Sequence, residues 1–448
     1  MIIKRLKTLL PQRSTHRNVT LIAAGTIFGQ ALMLGALPLL TRFYDPRDFG
    51  AMAVFLALLV PLNSVASLRY ELAIPLPKDD TEAEHLLLLS LLITVILSFV
   101  VGLVVALFAS DIIRFTEAER LHGYMWLLPP TFLAAGIYLA LSHYAIRQQA
   151  FSKLAAAKLG EGAGQSLSQL CLGAIGFGLG GLIVGVTIRF WVAIGAFAGI
   201  IKPWLQQYAT HVTGWRAQSF KQVFSRAGVL FQLAQTYQRF PRYNATATFL
   251  QFSSLHLPAL LLAIVYGTEV AGWFSLGQRV LEAPVTFLSK SASQVYLSEA
   301  SQIIRRDARA LHSLYTRTLI RQSKLGIFIV IAMLPAPWIF PILFGADWQP
   351  TGRYVQVLSV MFFLQFLTQA FAAETLTVLN RQHWQLGLEI TKILLILGLF
   401  IYLYYNRIGH LQAVILYGLI ATLIQAAYLL ICWGLSKNLS YDTSSSLP

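Results

Sequence analysis

Charge is scarce in this chain of 448 residues. Asp, Glu, Lys and Arg together make up 12% of it, about half the share of roughly 25% usual in a soluble domain. That deficit excludes a water-exposed globular surface over most of the length. Cysteine is nearly missing: Cys171 and Cys432 both lie within apolar stretches, so neither a disulfide framework nor a zinc site is indicated. P-loop, His-Glu-x-x-His, Cys-x-x-Cys and Gly-x-Ser-x-Gly patterns are absent. There is no appended soluble domain to hold a nucleotide or a donor sugar, which argues against an ATP-driven pump or a membrane-anchored transferase. Alternating strands of about ten residues, the mark of a membrane β-barrel, are also missing. No cofactor or metal is expected.

Apolar residues account for 56% of the chain and mean hydropathy is +0.63. They gather in about 12 runs of spanning length, a helix of about 20 residues being enough to cross a hydrocarbon core of about 30 Å. The runs are 19–40, 50–70, 86–108, 123–145, 160–178, 181–201, 244–266, 271–297, 323–344, 355–379, 384–404 and 410–434. Lys4, Arg5 and Lys7 resemble the start of a signal peptide. The first run is too long for one and ends without a small-residue cleavage site, so a retained membrane helix is expected.

The net charge of +15 would suit a nucleic acid, but its distribution fits a membrane better. With the N-terminus in the cytoplasm, alternate loops place 24 Lys and Arg inside and six outside, as the positive-inside rule requires. Both termini are then cytoplasmic, and no nucleic-acid partner is needed. An echo supports duplication: Tyr44–Gly50, YDPRDFG, and Tyr266–Gly272, YGTEVAG, share a tyrosine and a glycine 222 residues apart, each after an apolar run with a proline, Pro38 or Pro258. The expected fold is an all-α polytopic membrane protein of about 12 transmembrane helices, in two six-helix bundles related by a pseudo-two-fold axis. The expected domains are 1–201 and 244–448, joined by a cytoplasmic linker, 202–243. In the linker Phe220, Val223, Phe224, Val229, Leu230 and Leu233 stand among basic residues. They suit an amphipathic helix on the anionic leaflet, or a solvated linker with some helix. Residues 299–322 read as a helix continuing out of the eighth span.

Charged residues inside the spans carry the functional signal, because a charge facing lipid at the helix centre costs about 2.5–3.5 kcal/mol on insertion scales. Arg279, Glu282, Thr286 and Lys290 fall on one face of the eighth span, and Pro284 is expected to break that helix locally. The face either lines an aqueous cavity or holds an Arg279–Glu282 pair that only neutralises itself. The second span sets Asn63, Ser67 and Glu71 four apart, beside Arg69 and Tyr70. The seventh is polar from Thr246 to His256, the tenth carries Gln365, Gln369 and Glu374, the eleventh Glu389 and Lys392, and Arg189 sits near the middle of the sixth. Together they point to a central watery cavity with a basic lining of Arg189, Arg279 and Lys290. Such a cavity suits an anion, phosphate above all, since Arg contacts phosphate oxygens bidentately.

Several blocks then become recognisable. PLLTRFYDPRDFGAMAVF at Pro38–Phe55 and LRYELAIPLPKDD at Leu68–Asp80 resemble the opening of the polysaccharide transporter branch of the multidrug/oligosaccharidyl-lipid/polysaccharide exporter superfamily. RFPRY at Arg239–Tyr243, Leu257–Pro258, GQRVLEAP at Gly277–Pro284, QVYLSEAS at Gln294–Ser301 and FGADWQPTG at Phe344–Gly352 continue it in order. The resemblance implies a Wzx-like flippase of the bacterial inner membrane, not an enzyme, working by alternating access. Its cargo would be an undecaprenyl-diphosphate-linked oligosaccharide for O-antigen, lipopolysaccharide, capsule or exopolysaccharide. Membrane lipid, a polysaccharide polymerase and a chain-length regulator would be its partners. Arg69–Glu71 and Gln278–Arg279 are the matched positions carried over. With the lumen cations they make the substrate candidates Arg279, Lys290, Arg189, Arg42, Arg69 and Gln278; Glu282, Glu374 and Glu71 are the candidates for ion coupling. A cation-coupled multidrug exporter of the same superfamily is the alternative. It would need a buried acid in the N-terminal half, where only Glu71 and Glu161 are on offer and both are expected near cytoplasmic ends. A polysaccharide polymerase would need a large outer loop, and none here exceeds about 15 residues.

Overall fold

The computed structural model describes residues 13–202, 220–306, 310–379, 381 and 383–438. Side chains are described from residue 22 in the first segment and from residue 228 in the second, Ser291 and Arg305 excepted. Fifteen helices and no strand occur among the described residues. In chain order they are α1 (Arg13–Phe43), α2 (Pro46–Asn63), α3 (Asp80–Thr116), α4 (Leu128–Arg147), α5 (Phe151–Ala174), α6 (Leu179–Gly195), α7 (Phe220–Thr236) and α8 (Thr246–Tyr266). There follow α9 (Thr268–Arg306), α10 (Ala310–Met333), α11 (Ala336–Phe344), α12 (Gln349–Leu367), α13 (Ala373–Val378), α14 (His383–Asn406) and α15 (His410–Asn438).

Among the described residues, seven helical segments are long and apolar enough to span a membrane, and an eighth forms if α10 and α11, bent by 63°, count as one span. The bend falls at Leu334-Pro335, where a proline removes a backbone donor. α6 is apolar but shorter. Helices α5 and α9 carry polar side chains along one face, as helices do that turn this face to protein.

Contacts divide the chain into two compact units. The first comprises Met1–Phe43, Leu58–Arg114 and Glu119–Phe252; the second, Tyr44–Ala57, Phe115–Ala118 and Ser253–Pro448. This division departs from the sequence halves, because the opening of α2 counts with the second unit. The linker divides too. Residues 203–219 and the side chains of Phe220, Val223 and Phe224 lie outside the description, while α7 belongs to the first unit.

In the first unit α1 and α5 meet at backbone distance. A Cβ on Gly162 would fall 2.1 Å from the Gly29 carbonyl oxygen, and one on Gly29 2.6 Å from that of Lys158. Small residues permit such contact, and without a hydrophobic driving force in lipid it is a main source of helix association. Leu230, Leu233 and Ala234 of α7 pack on the cluster built from Tyr70, Leu86, Tyr138, Leu141 and Phe197. Tyr70 donates to the Ala234 carbonyl (2.9 Å) and Tyr237 to Glu82 (3.0 Å). Val229 and Phe231 remain exposed.

In the second unit the starts of α2 and α9 cross. A Cβ on Gly50 would lie 1.6 Å from the Thr268 carbonyl oxygen, and one on Gly272 would lie 1.8 Å from that of Pro46. Each glycine abuts the counterpart of the other's neighbour, and Arg47 pairs with Glu269 at 3.2 Å, again 222 residues apart. A reciprocal contact of this kind is what a two-fold operator generates. The echo in the sequence is therefore a place where the two copies touch.

Two sequence expectations need correction. The second span does not continue as helix to residue 70. It ends at Asn63, and Leu68 and Arg69 adopt positive φ (51° and 67°) before a 3₁₀ turn at Tyr70–Ala73. Pro284 does not break its helix either, since α9 runs unbroken through it. A proline removes only one donor, and membrane helices tolerate it where neighbouring groups satisfy the freed carbonyl.

Candidate functional site

Polar side chains concentrate at three places, two in the first unit and one in the second. On α5, Glu161, Gln165 and Gln169 stand four apart and face α6. Glu161 lies ten residues into its helix, about 15 Å from the start at 1.5 Å per residue. Its carboxylate accepts from Lys158 Nζ (2.9 Å), Arg189 Nη2 (3.1 Å) and the Tyr138 hydroxyl (2.7 Å). Arg189 also donates to Gln165 Oε1 (3.2 Å) and stacks on Phe190, 4.5 Å from the ring centroid. Gln169 donates to the Leu182 carbonyl at 2.8 Å. Arg189 is thus no free lumen cation, as the sequence reading had it, but half of an ion pair. Glu161 is not confined to a helix end, which explains why the pair went unseen. The i, i+4, i+8 spacing of Glu161, Gln165 and Gln169 was the available signal.

The second cluster replaces the expected helical face at Asn63, Ser67 and Glu71. The chain folds back on itself, so that Glu71, 1% exposed, accepts from the Ser67 hydroxyl and pairs with Arg69 Nη1 at 3.4 Å. The left-handed backbone at Arg69 aims its guanidinium inward, where Nε is buried without a hydrogen-bond partner. Arg147 closes the same loop from α4, pairing with Asp80 (2.8 Å) and donating to the Pro77 carbonyl. Outside the membrane segments, hydrogen bonds from Thr81 hold the Asp79 carboxyl below its usual range. Arg69 and Glu71 are therefore bound to each other inside a shaped loop.

In the second unit α9 presents Gln278, Arg279, Glu282, Ser289 and Ser293. Arg279 lies 11 residues from the start of its helix, about 16 Å in. It is half-buried, with its guanidinium carbon 6.0 Å from the Phe49 ring and Nη2 3.6 Å from Met52 Sδ. Gln278 is buried and donates to the Leu255 carbonyl at 3.3 Å, tying α9 to α8. One and two turns beyond Pro284, Ser289 donates to Gln369 (3.1 Å) and Ser293 to Glu374 (2.7 Å). Gln369 lies within, and Glu374 just after, a single π-turn, Thr368–Ala372, between α12 and α13. Such turns often occur at functional positions, and the sequence gives no signal for this one. Glu389 and Lys392 pair loosely at 3.9 Å. Lys290 is exposed on α9, and Arg42 is exposed in the last turn of α1.

The structure thus joins Gln278, Arg279 and Glu282 in one interior stretch of α9 and sets Glu374, from α13, against Ser293 further along that helix. Arg189, Arg69 and Glu71 belong to the first unit, Arg189 paired with Glu161 and Arg69 with Glu71. A guanidinium held between an aromatic ring and a thioether keeps its charge with little competing hydration. It is suited to an anion's oxygens.

Known proteins resemble the chain over most of its length. Residues 39–353 match the family described as polysaccharide biosynthesis protein. No curated protein matches the chain. Among solved structures, a multidrug resistance MATE family transporter of the MOP superfamily, in its inward-facing conformation, superposes with a TM-score of 0.71 at 14% identity, covering 93% of this chain and 96% of the other. The lipid II flippase MurJ, inward closed, gives 0.65 at 13% identity over 96% and 94%. A MOP superfamily transporter from Pyrococcus furiosus gives 0.52 at 12% identity over 94% and 96%. At these identities the structures speak for the fold, and the family match covers most of the chain. The chain belongs to the polysaccharide biosynthesis protein family, and it is a multi-pass membrane protein with the fold of the superposed structures.

Proposed function

We propose that the chain is a flippase that moves undecaprenyl-diphosphate-linked oligosaccharides from the inner to the outer leaflet of the bacterial cytoplasmic membrane, by alternating access, for surface polysaccharide assembly. One observation carries this reading: Arg279 stands about 16 Å into the 39-residue helix α9, half-buried and beside Glu282, within a block of the matched family. A mid-helix cation is expensive unless it serves an anion or a pathway. A diphosphate headgroup is an anion that must cross that depth. Arg279 would grip the diphosphate, with Lys290 further along the same helix as a second cation and Arg42 at the end of α1 meeting the headgroup on the outer side. Gln278 and Arg69 would act by positioning, since both are engaged with neighbouring groups. Glu282 and Glu374 would bind the coupling proton or cation; Glu71, sealed by Ser67 and Arg69, serves the loop's shape better.

A drug exporter of the same superfamily would need a buried acid in the first unit free to take a cation. Glu161 is buried there, but Lys158 and Arg189 already neutralise it. The test is complementation in a strain that lacks its own flippase. A charge-assisted hydrogen bond contributes about 1.5–3 kcal/mol. Arg279→Ala should therefore lower surface polysaccharide by about 10- to 100-fold at unchanged membrane insertion, with a smaller loss for Lys290→Ala. Undiminished polysaccharide in both variants and in the double would refute the reading.

A further inference from the structure

A cleft of about 510 Å³ lies in the second unit between the end of α9 and the start of α10, well away from Arg279. Glu299, Gln302 and Arg306 line it from α9; Arg317, Thr318 and Arg321 line it from α10. Three guanidinium groups thus face one carboxylate across a space large enough for a headgroup. Arg317 Nε donates to the Ser313 carbonyl at 3.3 Å. No ion pair among the described residues joins Glu299 to the arginines. Continuing along α10 from Arg317 and Arg321 in steps of four, three and three, the same face carries Leu325, Phe328 and Ile331. All three are exposed, Phe328 by 68%. Leu325 begins the apolar run one turn from Arg321, about 6 Å along the axis. The arginines therefore sit at headgroup depth and the apolar stripe at acyl-chain depth.

We infer that this cleft binds the phosphodiester of an anionic membrane phospholipid, with its acyl chain laid along Leu325, Phe328 and Ile331. Arginine forks match phosphate oxygens bidentately, and basic pockets between membrane helices are suited to anionic headgroups. The adjoining apolar face favours an amphiphile over free phosphate. Nothing in this inference depends on what the protein carries across the membrane.

The test is native mass spectrometry of the full chain in neutral detergent, titrated with dioleoyl-phosphatidylglycerol or dioleoyl-phosphatidylcholine. The expected result is at least about tenfold tighter binding of the anionic lipid, a factor worth about 1.4 kcal/mol. The preference should vanish in Arg317→Gln/Arg321→Gln and persist in Arg407→Gln. If the glutamine pair does not fold, Arg317→Lys/Arg321→Lys, which keeps charge and loses the fork, should weaken the preference in part. Equal binding of both lipids by the wild type, a preference surviving in the glutamine pair, or one undiminished in the lysine pair, overturns the inference. Displacement of phosphatidylglycerol by glycerol 3-phosphate at equal concentration would make the cleft a site for free phosphate and overturns it too. Tighter retention of undecaprenyl diphosphate than of phosphatidylglycerol would assign the cleft to cargo instead. Because no transport is measured, loss of this lipid preference leaves the flippase proposal standing, and failure to flip leaves the cleft's ligand unchanged.

Discussion

Replacing Glu161 by glutamine would strand two bases in the interior of the first unit. The wild-type carboxylate holds Lys158 at 2.9 Å and Arg189 at 3.1 Å and accepts from Tyr138. Breaking a buried ion pair by removing one partner costs about 3–5 kcal/mol. Two circumstances reduce the figure here. Lys158 and Arg189 keep 35% and 25% of their side-chain surface exposed, and glutamine retains one oxygen that can accept a hydrogen bond. The expected loss is therefore about 2–3 kcal/mol, between the full cost of an orphaned charge and that of one charge-assisted bond. The assay is unfolding of the purified protein in mixed micelles of rising dodecyl sulfate content, followed by tryptophan fluorescence. In the background of Arg189→Gln the same change should cost less, with a coupling of about 0.5–3 kcal/mol as found for contacting residues. A loss below about 0.5 kcal/mol for Glu161→Gln, within the range of surface substitutions, would refute this reasoning. So would strict additivity of the two changes.

The remaining predictions concern places where the backbone or a loop is constrained. Gly272→Ala should destabilise the second unit by about 1–3 kcal/mol, the usual cost of overpacking, because its Cβ would meet a backbone carbonyl that cannot rotate away. Arg47→Ala beside it removes only an exposed pair and should cost less than about 1 kcal/mol; dodecyl sulfate unfolding compares the two. Hydrogen bonding lowers the Asp79 carboxyl in the folded protein. Its contribution to stability is therefore present above the unfolded carboxylate range, near pH 4, and lost as pH falls through the lower folded value. Thr81→Ala removes the hydroxyl donor and keeps the backbone ones, so it should raise the titration of Asp79, followed by carbon NMR of labelled aspartate, part of the way toward the ordinary range.

How far the sequence showed this structure depends on the kind of signal. Long apolar runs made the all-helical fold legible, because the bilayer fixes helix length strongly, and seven or eight spans are long and apolar enough among the described residues. The Arg279 face was legible since three-and-four spacing maps directly onto one side of a helix. The Arg189–Glu161 pair was not, because it joins two helices and their relative rotation is set by packing of Gly160 and Gly164 on Val192 and of Gly185 on Gln169. Nor was the loop at Leu68–Arg69 legible, where two residues without glycine's freedom adopt positive φ. Local propensity opposes that conformation, and the pairing of Arg69 with Glu71 accompanies it. The contact of Gly50 with Gly272 was visible only as an echo, and the backbone gave it a physical meaning.

The most direct test of the central proposal is translocation itself. The purified chain is reconstituted into vesicles holding undecaprenyl-diphosphate-linked oligosaccharide, and the cargo reaching the far leaflet is cleaved by an impermeant glycosidase. Wild-type protein should raise the accessible fraction with time, and Arg279→Ala should move it little faster than protein-free vesicles. A rate in wild-type vesicles no greater than in protein-free ones, or an Arg279→Ala rate equal to wild type, would contradict the account.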